Sequence, residues 1–311
     1  MRFLVTGGAG YLGNHIAKEL NKAGHYVICL DKRETNCKYY HKKVIQDLSS
    51  SPRELIPILQ SGIDTVFHLA GRIEISESYE RLIEFWEDNV YGTTQLIKFM
   101  KIFDVKNIIY SSSAGVYKAK DRPLKETDEI AFNNPYANTK IAAESIIRDS
   151  GLNHVIFRFF NLAGADPDGE MGECHDPETH LIPLVFEKIN NFVINGDTYN
   201  TNDGTCVRDY VHVTDIAKAH LNARDYLKKG GKSDTFNLGF GPGYSIKEII
   251  ELIRDYCSLD VKYTIGEKRK GDPSSLVADI SKARKILNYR PDYGIIEIIR
   301  TAYNWHKNGK R

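Results

Sequence analysis

The feature that most constrains this chain is a glycine-rich turn, TGGAGYLG at 6–13, set directly between a strand-like run and a helix-like one. Phe3-Leu4-Val5 precedes it, and Leu12, Ile16, Ala17, Leu20 and Ala23 follow at helical spacing. Gly7, Gly10 and Gly13 form a G-x-x-G-x-x-G pattern. A diphosphate can approach backbone N–H groups at a helix N-terminus only where no Cβ intervenes, and a glycine at 13 lets the helix pack close to the sheet. A glycine turn alone has an ordinary structural reading too, so its surroundings decide.

Those surroundings repeat the same rhythm. Strand candidates lie at 2–6, 26–30, 43–46, 64–69, 107–111 and 154–158, with amphipathic stretches between them. The longest helical reading runs from about Glu77 to Met100, with Leu82, Phe85, Trp86, Val90, Leu96 and Ile97 at compatible intervals. Strands so spaced must run parallel with crossover helices, which predicts an α/β fold with a doubly wound parallel sheet. After about Leu162 the rhythm breaks. Residues 163–204 are rich in Gly, Pro, Asp and Asn, with only 181–190 reading as helix, and helices at 245–257 and 295–306 follow. Ser245 with Glu248 three residues on marks the start of the first of these two. We therefore expect a dinucleotide-binding domain over 1–162 and a smaller α/β substrate domain over 163–311, with parts of about 207–240 returning to the first.

Composition narrows the partners. The 311 residues carry 42 basic and 41 acidic side chains, a net charge of +1, which leaves no positive field for a nucleic acid. No apolar stretch approaches the roughly 18–20 residues needed to span a bilayer. The first residues run straight into a strand without room for a signal peptide, and the five cysteines show neither CxxC nor regular spacing. A cytoplasmic protein with reduced thiols is expected, and the basic tail 307–311 reads as a solvated end.

Asp31 ends the second strand, 18 residues after Gly13, where a carboxylate can accept hydrogen bonds from an adenine ribose. It would repel a 2′-phosphate, so the pattern favours NAD over NADP, although Lys32 and Arg33 partly offset that repulsion. Asp47, after the third strand, suits either the adenine amino group or a cap before residues 49–52.

A second pattern carries chemistry. Tyr136 and Lys140 stand four apart and so share a helix face. An ammonium beside a phenol stabilises the phenolate and moves its pKa toward working pH, making the tyrosine a general base. Of 18 tyrosines, three have Lys four residues on. Only Tyr136 opens a helix, after Asn134 and Pro135, and follows a strand ending in Ser111-Ser112-Ser113. Ligands of doubly wound sheets sit beyond such strand ends, where a serine hydroxyl can relay a proton.

Taken together, TGGAGYLG, HLAG, SSSAGVY, PYANTK, RFFNLAGADPDG, GECHDPETHLIP, DGTCVRDYVHV and GDPSSLVAD resemble the UDP-glucose (UDP-galactose) 4-epimerases of the extended short-chain dehydrogenase family, over nearly the whole chain. The resemblance implies a Rossmann sheet, NAD as cofactor, a UDP-hexose substrate and a homodimer formed by helices near 81–101 and 135–149; Phe85, Trp86, Phe99 and Phe103 would serve that surface or the core. It implies Ser113, Tyr136 and Lys140 as the catalytic set. Gly7, Gly10, Tyr11, Leu12, Gly13, Asp31, Asp47, Leu48, Leu69, Ala70, Gly71, Asn89 and Lys140 would border the cofactor. Asn161, Leu181, Arg208 and Arg269 would hold uracil and phosphates, Asp272 the ribose, and Leu276 the wall beside the sugar's C2, where a tyrosine tends to exclude N-acetyl groups. Lys118, Asn195 and the stretch Arg72-Ile73-Glu74 depart from the common pattern.

The rivals are a nucleotide-sugar 4,6-dehydratase or decarboxylase, which needs a further acid/base pair, and a non-catalytic dinucleotide sensor, which has no use for Ser113, Tyr136 and Lys140 together. Cys174, His175 and His180 have ligand chemistry but no fourth ligand at metal spacing, so no metal is expected. His212 and His220 read as structural residues of one helix start.

Overall fold

A computed structural model describes residues 1–50, 53–269 and 272–308. The ends of the tail and of the turn after Asp47, as read from sequence, lie outside them. The chain divides into two compact units, the first comprising 1–116, 130–158 and 217–236, the second 117–129, 159–216 and 237–311.

The first unit is built on a doubly wound sheet. Its strands are β1 (Arg2–Thr6), β2 (Tyr26–Asp31), β3 (Lys42–Ile45), β4 (Thr65–His68), β5 (Asn107–Ser113) and β6 (Asn153–Phe159), with Asp234–Leu238 at the edge. The seven parallel strands lie in the order Asp234–Leu238, β6, β5, β4, β1, β2, β3. Central strands are buried on both faces, as continuous apolar runs require: Phe3, Leu4, Val5, Val66, Phe67, Ile108 and Ile109 expose no surface. The order reverses between β1 and β4, and that switch point is where an open parallel sheet leaves a crevice at its carboxyl edge.

Three expectations need correction. The long helix predicted over 77–100 is broken into Ile75–Glu80, Leu82–Trp86, a π-helical turn at Glu87–Tyr91 and Gly92–Ile102. Arg81, with φ −116° and ψ 43°, interrupts the first junction. Phe85 is wholly buried, which removes it from any surface, while Trp86 is 40% exposed. His212 ends the strand Val207–His212 rather than starting a helix. Its ring stacks on Tyr293 at 4.3 Å and Thr214 N–H donates to its Nδ1, so its structural reading stands by a different route. His220 packs between Phe67 and Phe157 in the first unit.

The second unit has its own core, in which Ile182, Val185, Phe186, Ile249, Ile253 and Ile298 meet. Val207–His212 is flanked by Gly243–Ser245 and Ser275–Leu276, and also pairs with Asn161–Ala163. Phe192–Asn195, within the stretch read as loop, is a strand paired with Tyr263–Gly266. Alternating Phe192 and Ile194 point into the core while Val193 is exposed, a pattern too short to stand out in the sequence. Helix Ile246–Cys257 opens with the full Ser245/Glu248 capping box.

Candidate active site

At the switch point the turn after β1 and the turn after β4 touch. Gly7 has φ +70°, and a Cβ there would lie 2.6 Å from Ala70 N and 2.8 Å from Leu69 C, so only glycine fits. A Cβ at Gly13 would strike the Gly7 carbonyl and Gly8 Cα, at 2.7 and 2.8 Å. Gly10 is different: its Cβ would meet only Gly7 O at 3.2 Å and the Arg33 guanidinium at 3.8 Å. The first and third glycines close the turn, and the second, whose N–H donates to the Gly7 carbonyl at 3.1 Å, keeps its Cα face bare beside a cation. Helix Tyr11–Lys22 starts there, with Tyr11 and Leu12 in its first turn. This cradle fits a dinucleotide diphosphate, which a side chain at 10 would crowd.

Asp31 is buried at the end of β2, where its carboxylate accepts from Ala9 N–H at 3.0 Å and from Arg33 N–H at 2.9 Å. Tyr40 is a participant that sequence reasoning missed. Its buried hydroxyl bridges the carbonyls of Gly8 and Gly13, each at 2.8 Å, and clamps the turn. Asp47 accepts from both the N–H and hydroxyl of Ser49, at 2.8 and 2.7 Å. Burial opposes its ionisation, but these bonds hold the carboxyl below its usual range. That geometry is the capping alternative. Leu48 packs against Gly92.

The β4 turn is held from behind. Asn89, on the π-helical turn, accepts from Arg72 N–H at 2.7 Å and donates to the Arg72 carbonyl and to Thr139 on the helix Pro135–Asp149. A Cβ on Gly71 would lie 2.7 Å from Asn89 Oδ1 and 3.8 Å from Lys140 Nζ, so these three groups converge. Arg72, a departure from the common pattern, is neutralised by Asp88 at 2.8 Å and Glu77 at 3.3 Å. His68 hydrogen-bonds Thr6 at 2.7 Å and Thr93 at 2.8 Å, and Thr93 donates onward to the Asn89 carbonyl. Burial first, then the Lys140 charge, drives His68 down to about 3, so it stays neutral.

The helix carrying the base begins as expected: Asn134 caps Ala137 N–H at 2.8 Å and Pro135 takes the first turn. Ser113, at the end of β5, accepts from Gly115 N–H at 3.1 Å, and its hydroxyl and the Tyr136 ring lie 3.3 and 4.0 Å from a Cβ placed on Gly115. Lys140 is buried, donates to the Ser111 carbonyl at 2.9 Å, and lies 5.9 Å from the Tyr136 ring centroid. The three residues are thus brought together, but the electrostatic expectation fails. Burial raises Tyr136 to about 12, Ser113 pulling it down and Glu74 adding to the rise. Burial also lowers Lys140, to about 8, with Glu144 opposing. The ammonium is spent on a backbone carbonyl, and desolvation of the phenolate outweighs it.

Glu144, one helical turn beyond Lys140, anchors the serine run. It accepts from Ser112 Oγ at 2.5 Å, from Arg158 at 2.7 and 3.0 Å and from Arg148 at 2.8 Å. Burial opposes its charge; Arg158 and Ser112 win, and its pKa is lowered.

In the second unit, Arg208 and Tyr210 alternate with the buried Asp209 along one strand. Arg208 donates to the Pro273 carbonyl at 2.9 Å, approaches Asp272 at 3.6 Å and pairs in register with Leu276. Asn161 is in register with Tyr210. Arg269 is exposed, and the Asn195 side-chain carbonyl, turned toward it, accepts from its Nε at 3.1 Å and Nη2 at 3.3 Å. Asn195, a departure from the common pattern, therefore holds an arginine. Leu181 is the first residue of helix Leu181–Glu187. Lys118 is exposed and paired with Glu129 at 3.1 Å.

The His/Cys stretch also differs from its reading. Cys174 is exposed, whereas Glu173 and Glu178, which the spacing argument passed over, join His175 and His180 in one group. Their side chains are only 5% and 3% exposed.

The profile of the NAD dependent epimerase/dehydratase family matches residues 3–239. The UDP-glucose 4-epimerase of Halalkalibacterium halodurans is 41% identical over 99% of this chain and 96% of its own length. Among solved structures, UDP-glucose 4-epimerase from Brucella ovis in complex with NAD superposes with a TM-score of 0.92 at 36% identity, covering 97% of each chain. The enzyme from Bifidobacterium longum, in complex with NAD+ and UDP, gives 0.90 at 32% identity, covering 99% and 98%.

Proposed function

The chain belongs to the NAD dependent epimerase/dehydratase family, and from that premise we propose that it is a UDP-glucose 4-epimerase, interconverting UDP-glucose and UDP-galactose at C4 of the hexose. The observation that carries this reading is that Ser113, at the carboxyl end of β5, and the Tyr136 ring come together beside Gly115, with Lys140 fixed one turn further along the Tyr136 helix. NAD, when bound, supplies a hydride acceptor and, in its oxidised form, a positive charge. Gly7, Gly10, Gly13 and Asp31 would hold its diphosphate and adenine ribose; Asn89, Gly71 and Lys140 would border its other half.

Tyr136 takes the proton of the sugar 4-hydroxyl as hydride leaves C4, with Ser113 relaying it. A buried phenol with a raised pKa is a strong base once ionised and a poor one until then, so the Ser113 hydroxyl beside it, which lowers that pKa, is central. The 4-keto sugar then presents its other face, and Tyr136 returns the proton as hydride comes back. No net oxidation occurs. Arg208, Arg269, Asp272, Asn161 and Leu181 anchor the nucleotide. Ser113 is followed by the buried Ala114, which offers no second acid/base pair for elimination.

A cytoplasmic homodimer is part of the same reading. All five cysteines are free thiols, as a reducing compartment keeps them, and among the described residues no helix is long and apolar enough to cross a membrane. Tyr79, Leu82, Ile83 and Trp86 are between 40% and 67% exposed and could bury against a second copy. Purified protein given UDP-galactose, with the product coupled to UDP-glucose dehydrogenase, tests the activity; absence of product would refute it.

A further inference from the structure

Glu173, His175, Glu178 and His180 each bring one ligand atom into a group whose members all lie within 4.8 Å of one another. His175 Nδ1 is 3.2 Å from Glu173 Oε1 and 3.8 Å from Glu178 Oε1. His180 Nδ1 closes on the same Glu173 oxygen. Donors held tetrahedrally at the usual zinc distances stand roughly 3.4 Å apart, so these separations already bracket what one ion requires.

The surroundings preorganise the group. Trp305, on helix Ile295–Lys307, donates its indole N–H to the Glu173 carbonyl at 3.0 Å, and its ring lies where a Cβ on Gly172 would be. Glu178 accepts from the N–H groups of Thr179 and His180 at 2.8 and 2.9 Å, which fixes its carboxylate. Glu173, His175 and Glu178 border a cavity of about 20 Å³, enough for one ion or water; Cys174 also lines it, and His180 reaches the group from outside that lining. Buried carboxylates are normally paired or coordinate a metal; here Glu173 pairs with both histidines and Glu178 with His175, so an ion would replace protons shared within the group.

We propose that Glu173, His175, Glu178 and His180 form a binding site for one divalent transition-metal ion, Zn²⁺ in the first instance. Two imidazoles suit Zn²⁺ over the all-oxygen preference of Mg²⁺. The exposed Cys174 takes no part. The ion ties residue 173 to residue 180 and so fixes the loop that leads into helix Leu181–Glu187. This role is independent of the catalytic set, and its readouts need no activity.

The test uses the full chain, stripped with EDTA, dialysed and titrated with ZnCl₂ and separately with MgCl₂ by calorimetry. One equivalent of Zn²⁺ should bind, far more tightly than Mg²⁺, and should raise the melting temperature. Glu173→Gln and His175→Ala should each weaken Zn²⁺ binding by a factor on the order of 10² or more, since loss of a ligand exceeds the 10–100-fold cost of losing an outer partner. Glu178→Gln reads the same set conservatively should His175→Ala fail to fold. Cys174→Ser should bind as the wild type does. No stoichiometric Zn²⁺, affinity unchanged in the ligand variants, or affinity lost in Cys174→Ser would each overturn the proposal.

Discussion

Lys140 donates its ammonium to the Ser111 carbonyl at 2.9 Å and stands 5.9 Å from the ring of Tyr136, which lies with Ser113 beside Gly115. The lysine thus fixes the strand end that bears the serines and acts on the phenol only across space. Tyr136→Phe should lower kcat by a factor on the order of 10² or more, as loss of a general base does, while NAD stays bound. Lys140→Met should lower kcat and leave the pH–rate profile in place, because Lys140, lowered to about 8, is uncharged where a phenol raised to about 12 ionises. Steady-state rates between pH 6 and 10 check both; a profile moved to higher pH would show that the ammonium still tunes the phenol.

The Glu144–Arg158 pair is buried, with side chains 1% and 4% exposed. Removing one member strands the other. Glu144→Ala should cost about 3–5 kcal/mol of stability, mostly through an uncompensated guanidinium. Glu144→Met with Arg158→Met should cost much less than Glu144→Ala. Urea unfolding of the three proteins measures the difference; equal losses would mean that the pair carries no buried-charge penalty.

What could be read from the sequence and what could not divides along chain distance. Gly7, Gly10 and Gly13 announce themselves by local spacing, and Tyr136 by its place after Asn134-Pro135, because a strand end or helix start imposes those residues within a few positions. Tyr40 carries no local signal: its role exists only because the chain before β3 folds back onto Gly8 and Gly13, 32 and 27 residues earlier. Glu144 and Arg158 look like any helix and strand charges until the sheet buries them. The break at Arg81 has no glycine or proline to mark it, so the apolar period reads straight through. In GECHDPETH the ligand chemistry is visible, but which side chains turn inward depends on the loop's path, and that selects Glu173 and Glu178 while leaving Cys174 outside.

We expect hexose choice to be set at Leu276. It sits in register with Arg208 on a short strand and is partly buried. Leucine lacks the outer ring and hydroxyl of tyrosine, so UDP-N-acetylglucosamine should turn over measurably but more slowly than the plain hexoses. Apolar pocket differences are worth about 1–3 kcal/mol, which bounds the discrimination at roughly 200-fold in kcat/KM. Leu276→Tyr should suppress the acetamido activity and spare UDP-galactose. Competing-substrate assays decide it: unchanged ratios would place the sugar's C2 elsewhere.

Asp209 supplies a pH dependence that runs opposite to that of most carboxylates. It is fully buried; Oδ1 accepts from Phe240 N–H at 2.7 Å and Oδ2 from Gly241 and Ala278 N–H, both at 3.1 Å. Burial raises its pKa to about 7, the three backbone bonds only partly opposing that rise. An unfolded aspartate titrates near 3.9, so between these values the native state binds the extra proton and stability falls as pH rises. The contribution is complete below about pH 4, is lost through pH 7, and amounts to a few kcal/mol in order of magnitude. Asp209→Asn retains a carbonyl for Phe240 but sets an amide against the other N–H groups, so it should be less stable throughout and its stability flatter with pH. Urea midpoints at pH 5, 6, 7 and 8 for both proteins isolate the effect as a difference. If that difference does not shrink as pH rises, Asp209 is ionised in the folded protein and the backbone bonds, not burial, set its charge.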